Sequence, residues 1–307
     1  MIPMKLADYR AAIDLDKPFR PAAAPAADRG VLPHALLADL VADGTVARLG
    51  LRDVDIERAA GDPLLARRLL GILLTVRPPG NWVPEVLARV DALLSAEAAD
   101  RPWVAAKDLP RLTETHPRTR YPAADRTALW QGDLTTLAAD AVVNAANAAL
   151  LGCFRPGHAC VDNALHTAAG PRLREDCSRI MELQGHPEPT GTAKITRGYH
   201  LPARHVLHTV GPIVDGPPGP DDVQALAASY HSCLDLAAEA GARTVAFCSI
   251  STGVFGYPKL SAARVALEAV ACWLDARPGA LDLVVLDVYG LDDHAVYTSA
   301  VNEPHDW

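Results

Sequence analysis

The sequence predicts an α/β protein: a mixed, mostly parallel sheet between helices, preceded by a small α-helical extension. Three observations carry that expectation. After His116-Pro117, short β-type runs alternate with helical stretches, the pattern of a sheet covered by helices. Before about Leu109 the apolar residues recur at helical spacing instead. Hydrophobic residues make up 50% of the 307, enough for a substantial core.

From the N-terminus, residues 1–30 read as a flexible Ala/Pro-rich arm. Its second half, Lys17 to Arg29, is Lys-Pro-Phe-Arg-Pro-Ala-Ala-Ala-Pro-Ala-Ala-Asp-Arg, which cannot donate a regular backbone ladder. Residues 31–115 read as the helical extension. Within it Asp62 can cap a helix that has Pro63 in its first turn, continues through Leu64, Leu65, Leu69, Ile72 and Leu73, and stops at Arg77-Pro78-Pro79-Gly80. A second helix spans Pro84 to Glu97. Residues 116–307 carry the sheet, with strands over Ala128–Trp130, Ala141–Val143, His205–His208, Val245–Phe247 and Leu283–Leu286. Helical periodicity covers Leu226–Ala240 and Ser261–Leu274. No internal repeat is visible.

Composition narrows the function classes. A net charge of −8 at pH 7 argues against broad electrostatic contact with nucleic-acid phosphates. No apolar run approaches the roughly 18 residues of a membrane span, and the opening Met-Ile-Pro-Met-Lys-Leu-Ala-Asp-Tyr-Arg lacks an apolar signal core. Neither nucleic acid nor membrane is expected as a partner, and a cytoplasmic location is. Six cysteines fit a reducing compartment without structural disulfides. Cys233 and Cys272 lie on apolar helical patterns and read as core.

In open α/β sheets ligands bind beyond the carboxyl ends of strands, so the residues directly after each β run matter most. Asp133 follows the first run, Asn144-Ala-Ala-Asn147 the second, and Ser249-Ile-Ser-Thr-Gly-Val-Phe-Gly256 the strand at Val245–Phe247. Glycines in the last segment let backbone amides turn toward a diphosphate. It is neither GxGxxG nor a Walker loop, and a simple turn is the alternative. For Asp133 the alternative is a cap before Leu134-Thr135-Thr136.

Between Gly152 and Asn163 the chain reads Gly-Cys-Phe-Arg-Pro-Gly-His-Ala-Cys-Val-Asp-Asn. Gly152, Pro156 and Gly157 break helix and strand alike, so Cys153, His158 and Cys160 sit on irregular backbone that can converge on one ion. Two thiolates and an imidazole make three zinc ligands, and a catalytic zinc site keeps its fourth position open. C-x4-H-x-C is not a familiar finger spacing, and an unligated loop is the alternative. Asp162 can activate water, orient a ligand or cap the helix entering Asn163. His166, four residues on, reads as structural.

Gln131-Gly132-Asp133-Leu134, Val143-Asn144-Ala145-Ala146-Asn147 and Ser251-Thr252-Gly253-Val254-Phe255-Gly256, in this order, resemble the macrodomain family, which binds ADP-ribose. The resemblance spans about Arg126 to Val301. Its Gly152–Asn163 insertion resembles the zinc-containing microbial ADP-ribosyl hydrolases, which also carry a helical N-terminal extension; Leu73-Leu74-Thr75-Val76-Arg77-Pro78-Pro79 extends the likeness there. The resemblance implies that Asp133 accepts from the adenine amino group and the backbone N–H of Leu134 contacts the ring. It further implies that Ser251, Thr252, Gly253, Val254, Phe255 and Gly256 wrap the diphosphate, with Phe255 shielding the distal ribose. Tyr289 resembles the aromatic that stacks on adenine, a buried core Tyr being the alternative. Asn147 is placed against the distal ribose, zinc on Cys153, His158 and Cys160, and Asp162 is the nearest carboxylate. The implied activity is zinc-dependent removal of mono-ADP-ribose from modified protein side chains. A non-catalytic ADP-ribose reader and an O-acetyl-ADP-ribose deacetylase are the alternatives.

Overall fold

The computed structural model describes residues 4–21, 30–46 and 53–303. In chain order the helices among them are α1 (Leu6–Tyr9), α2 (Leu32–Ala42), α3 (Asp53–Ala60), α4 (Pro63–Val76), α5 (Pro84–Asp100), α6 (Leu112–Thr115), α7 (Val161–Ala169), α8 (Pro171–Gln184), α9 (Pro220–Glu239), α10 (Lys259–Ala276) and α11 (Leu291–Asn302). The strands are β1 (Val104–Ala105), β2 (Thr127–Gln131), β3 (Leu137–Ala138), β4 (Ala141–Ala145), β5 (Ala193–Arg197), β6 (His205–Thr209), β7 (Thr244–Phe247) and β8 (Leu283–Val288).

Six strands form one sheet in the order β2-β8-β7-β4-β6-β5. All neighbours are parallel except the β5–β6 edge pair. Every residue of β8 is buried, as a central parallel strand with helices on both faces requires. The result is the expected α/β architecture, a mixed, mostly parallel sheet flanked by helices. No helix among the described residues is long and apolar enough to cross a membrane.

Helices α2, α4 and α5 close on a separate small core of Leu36, Leu40, Leu70, Leu73, Val90 and Leu93. Asp62 caps α4 as its position predicts, its Oδ1 accepting from the N–H groups of Leu64 and Leu65.

Two boundaries differ from the sequence reading. The description of residues 1–30 as a flexible arm does not hold for Leu6, Tyr9, Ile13 and Leu15, which are buried in the core of the sheet domain. Tyr9 also accepts through Oη from the Ile195 N–H at 3.0 Å, satisfying a donor on edge strand β5. Four apolar side chains at close spacing outweigh the Ala/Pro composition that follows them. The Ala/Pro tract at residues 22–29 lies outside the described residues. The packing boundary after the extension also falls earlier than residue 115, since β1 pairs with β3 and Ala106 and Leu112 join the sheet domain's core. Cys233 is buried as read, whereas Cys272 is exposed on α10.

Candidate functional site

A cleft of about 740 Å³ opens beyond the carboxyl ends of the parallel strands. Asp133 follows β2, Asn147 follows β4, Ser249 follows β7, and Asp287 and Tyr289 stand at the end of β8; all five line it. Since β8 and β7 lie between β2 and β4, the Asp133 and Asn147 ends are separated by three inter-strand steps, about 14 Å. The cleft is therefore elongated across the sheet.

At the β2 end, Asp133 Oδ1 accepts from Thr135 N (2.9 Å) and Thr135 Oγ1 (2.7 Å), capping the short 3-10 turn Leu134–Thr136. Capping and ligand recognition are thus compatible, because Oδ2 takes no partner among the described residues. Leu134 is buried and lines the cleft. Tyr289 is 81% exposed at the mouth, which makes it an open aromatic face and not a core tyrosine. Sequence reading passed over Asp287. It is 6% exposed, its Oδ1 is buried without a hydrogen-bond partner among the described residues, and it faces the same cleft. Burial, then the neighbouring Asp133 carboxylate, pushes the Asp287 carboxyl up to about 8. The available signal was a lone carboxylate inside the apolar run Leu283–Val288.

The loop after β7 supplies backbone donors. Gly256 N bonds to Gly253 O and Tyr257 N to Ser251 O. The N–H groups of Thr252, Gly253, Val254 and Phe255 find no acceptor among the described residues. Ser251 takes a left-handed conformation (φ 66°) and is buried. It is packed so tightly against Gly211 that a Cβ there would meet Ser251 Oγ at 2.1 Å. Such a run of unpaired N–H groups in a cleft-lining loop is suited to phosphate oxygens without any basic side chain.

At the β4 end, Cys153, His158 and Cys160 converge, their donor atoms lying within 4.8 Å of one another. Tetrahedral zinc at ordinary Zn–S and Zn–N lengths spaces a sulfur and a nitrogen ligand about 3.6 Å apart. Cys153 Sγ and His158 Nδ1 are 3.4 Å apart, so the donors fit that ion. Burial, with the Cys153 thiol adding to it, pushes the Cys160 thiol up to about 11, so a thiolate there needs a cation beside it. Cys160 also caps α7, its Sγ accepting from Asn163 N. Asn163 Nδ2 donates to the Arg155 and His158 carbonyls, holding the loop's return limb.

Asn147 lines the cleft, and its side chain ties the same loop: Nδ2 donates to Gly152 O and Oδ1 accepts from Ala149 N, both at 2.9 Å. Asp162 does not cap α7. It sits 5% exposed on the cleft wall, where Asn144 Nδ2 donates to its Oδ1 at 2.8 Å, and burial pushes its carboxyl up to about 6. His166 is buried 3.5 Å from that carboxylate.

Comparison with known proteins places this geometry. Residues 143–266 match the family described as Macro domain. A protein-ADP-ribose hydrolase of Treponema medium is 44% identical over 234 residues, 76% of this chain and 87% of the relative. One from Staphylococcus aureus (strain MSSA476) is 42% identical over 232 residues, 75% of this chain and 82% of the relative. Among solved structures, the Trypanosoma brucei macrodomain in complex with ADP-ribose matches with a TM-score of 0.57 at 32% identity, covering 76% of this chain and 95% of that one. The Oceanobacillus iheyensis macrodomain with ADP matches with a TM-score of 0.51 at 36% identity, covering 57% and 90%. With a strand-end cleft in this arrangement and relatives of this identity over most of their length, the chain belongs to the macrodomain family.

Proposed function

We propose that this chain is a zinc-dependent hydrolase that removes mono-ADP-ribose from modified protein side chains. The observation that carries the reading is one cleft that joins a ring of free backbone N–H groups to a three-donor metal loop. Relatives named protein-ADP-ribose hydrolase support it, as does an ADP-ribose complex of a similar fold.

Asp133 Oδ2 accepts from the adenine amino group, the Leu134 N–H donates to the ring, and Tyr289 stacks against it. The N–H groups of Thr252 to Phe255 donate to the diphosphate oxygens, and the half-buried Phe255 ring keeps water from the distal ribose. The cleft lies within the roughly 300–1,000 Å³ that ligand pockets occupy. The bond broken joins the anomeric carbon of the distal ribose to the protein side chain. Water supplies the hydroxyl, the side chain leaves with a proton, and the transition state has oxocarbenium character. Cys153, His158 and Cys160 would hold zinc, which when bound supplies Lewis acidity toward an oxygen at its open position. Asn147 sets the loop that carries these donors, and Asp162 orients or activates water on the same wall.

The test is incubation of the purified protein with proteins bearing mono-ADP-ribose on acidic, serine or arginine side chains. Free ADP-ribose with unmodified protein is the expected product. Tight binding without release would leave a reader, and activity confined to O-acetyl-ADP-ribose would leave a deacetylase.

A further inference from the structure

The described residues of the helical extension contribute nothing to the cleft's lining, yet the extension reaches the metal-donor loop through the Arg174 side chain. Arg174, on α8, is 3% exposed. Its Nη1 donates to Leu74 O (2.8 Å) and Arg77 O (2.6 Å), its Nη2 to Thr75 O (2.7 Å), and its Nε to Leu151 O (2.7 Å).

The extension needs this guanidinium for a reason written in its sequence. The last turn of any α-helix leaves carbonyls without an intrahelical donor. The N–H groups that would reach Leu74 O and Thr75 O by continuing the helix belong to residues 78 and 79, and both are proline. Arg174 replaces them from the other domain and places its positive charge at the α4 carboxyl end, where the helix dipole favours it. The docking is reinforced around it: Gly80 N donates to Glu175 Oε1 (2.9 Å), and Arg172 Nε donates to Asp91 Oδ2 (2.7 Å).

The same guanidinium grips the loop on both sides of Cys153. Leu151 O is one attachment. The other is the Phe154 ring, whose centroid lies 4.7 Å from the guanidinium carbon. The backbone flanking Cys153 is strained, because Leu150 (φ 59°) and Phe154 (φ 53°) are non-glycine residues in the left-handed region. Gly152 between them has φ 96°, and a Cβ there would approach Arg174 Nη2 to 3.2 Å. A conformation of that kind persists only where its surroundings hold it.

We infer that Arg174 is a positioning residue that couples the helical extension to the metal donors: the α4 carboxyl end orients the guanidinium, and the guanidinium orients Cys153. This rests on the zinc reading above. Outer partners that orient metal ligands change metal affinity by roughly 10–100-fold when removed.

The experiment follows zinc release from the full-length protein to a chromogenic chelator, at a temperature where each variant is folded by circular dichroism. Arg174→Lys, which cannot span the four carbonyls, and Phe154→Leu, which removes only the ring, are compared with Arg67→Met. The last breaks the Arg67–Glu97 pair inside the extension without touching Arg174. Arg174→Lys and Phe154→Leu are expected to release zinc at least about tenfold faster, with ADP-ribose affinity nearly unchanged, while Arg67→Met lowers the melting temperature and leaves release unchanged. Unaltered release in a folded Phe154→Leu or Arg174→Lys overturns the coupling, as does equal acceleration in Arg67→Met. If Arg174→Lys does not fold, Phe154→Leu decides alone. A wild-type protein that retains no zinc removes the zinc reading itself, a result distinct from retained zinc with indifferent variants.

Discussion

Asn144 donates from Nδ2 to Asp162 Oδ1 at 2.8 Å, joining the end of β4 to the first turn of the helix that leaves the metal-donor loop. Both residues are buried, and the Asn144 amide nitrogen also lies 3.2 Å from His208 Nδ1. Asp162→Ala removes the nearer of the two groups that face the Asn144 amide nitrogen and is expected to cost about 0.5–1.5 kcal/mol. Asp162→Asn retains an oxygen for that amide and is expected to recover most of the stability while turnover stays low. Denaturant melts and single-turnover release of ADP-ribose separate the two; turnover restored together with stability would make Asp162 a structural residue only.

Metal content is the most direct check on the donor loop. About one zinc per chain is expected, since the three donors are of the types zinc prefers. Cys160→Ala is expected to lose both the metal and the hydrolase activity. A metal-free preparation with full activity, by elemental analysis and product assay on one sample, would sink the zinc mechanism.

Asp133 has two tasks in the structure, and different substitutions separate them. Asp133→Ala removes the cap on Thr135 N as well as the free Oδ2, so it is expected to lose about 0.5–2 kcal/mol of stability and ADP-ribose affinity together. Asp133→Ser can still cap but is too short to reach a base. Calorimetric titration should therefore find Asp133→Ser as weak a binder as Asp133→Ala, with a melting temperature nearer the parent. Unchanged affinity in either folded variant would mean that adenine is recognised elsewhere.

Asp287 predicts a pH dependence. Its carboxyl is raised from the ordinary 3.8 to about 8 in the folded protein. An acid with a raised folded value binds its proton more tightly when folded. Its stabilising contribution is fully present below about 4, declines as pH rises from there through about 8, and is absent above that. Asp287→Asn carries no such proton. The variant is expected to melt above the parent at the alkaline end of this window and to converge with it at the acid end. Parallel melting profiles across the window would show that Asp287 is not held protonated.

The features legible in the sequence are those encoded within a few neighbouring residues. Central parallel strands, buried on both faces, read as unbroken apolar runs, which is why Leu283–Leu286 identifies β8. Asp62 followed by Pro63 announces the start of α4 because capping is a contact of two or three residues' reach. Cys153, His158 and Cys160 are visible as a set because one loop carries all three. What tertiary structure alone decided depends on partners distant in the chain. Strand β5 escapes the apolar pattern because Lys194 is buried in a pair with Glu188, and Thr196 is buried against His208, to which its hydroxyl bonds. Leu6 to Leu15 acquire a core to enter only once the sheet exists. Asp287 is unusual because the fold buries it and brings Asp133 beside it from the far end of the domain, and Arg174 because it lies beneath three carbonyls at the end of a helix about a hundred residues earlier. Propensity and periodicity act along the backbone, whereas burial, charge proximity and the satisfaction of orphaned carbonyls are set by what the fold brings next to them.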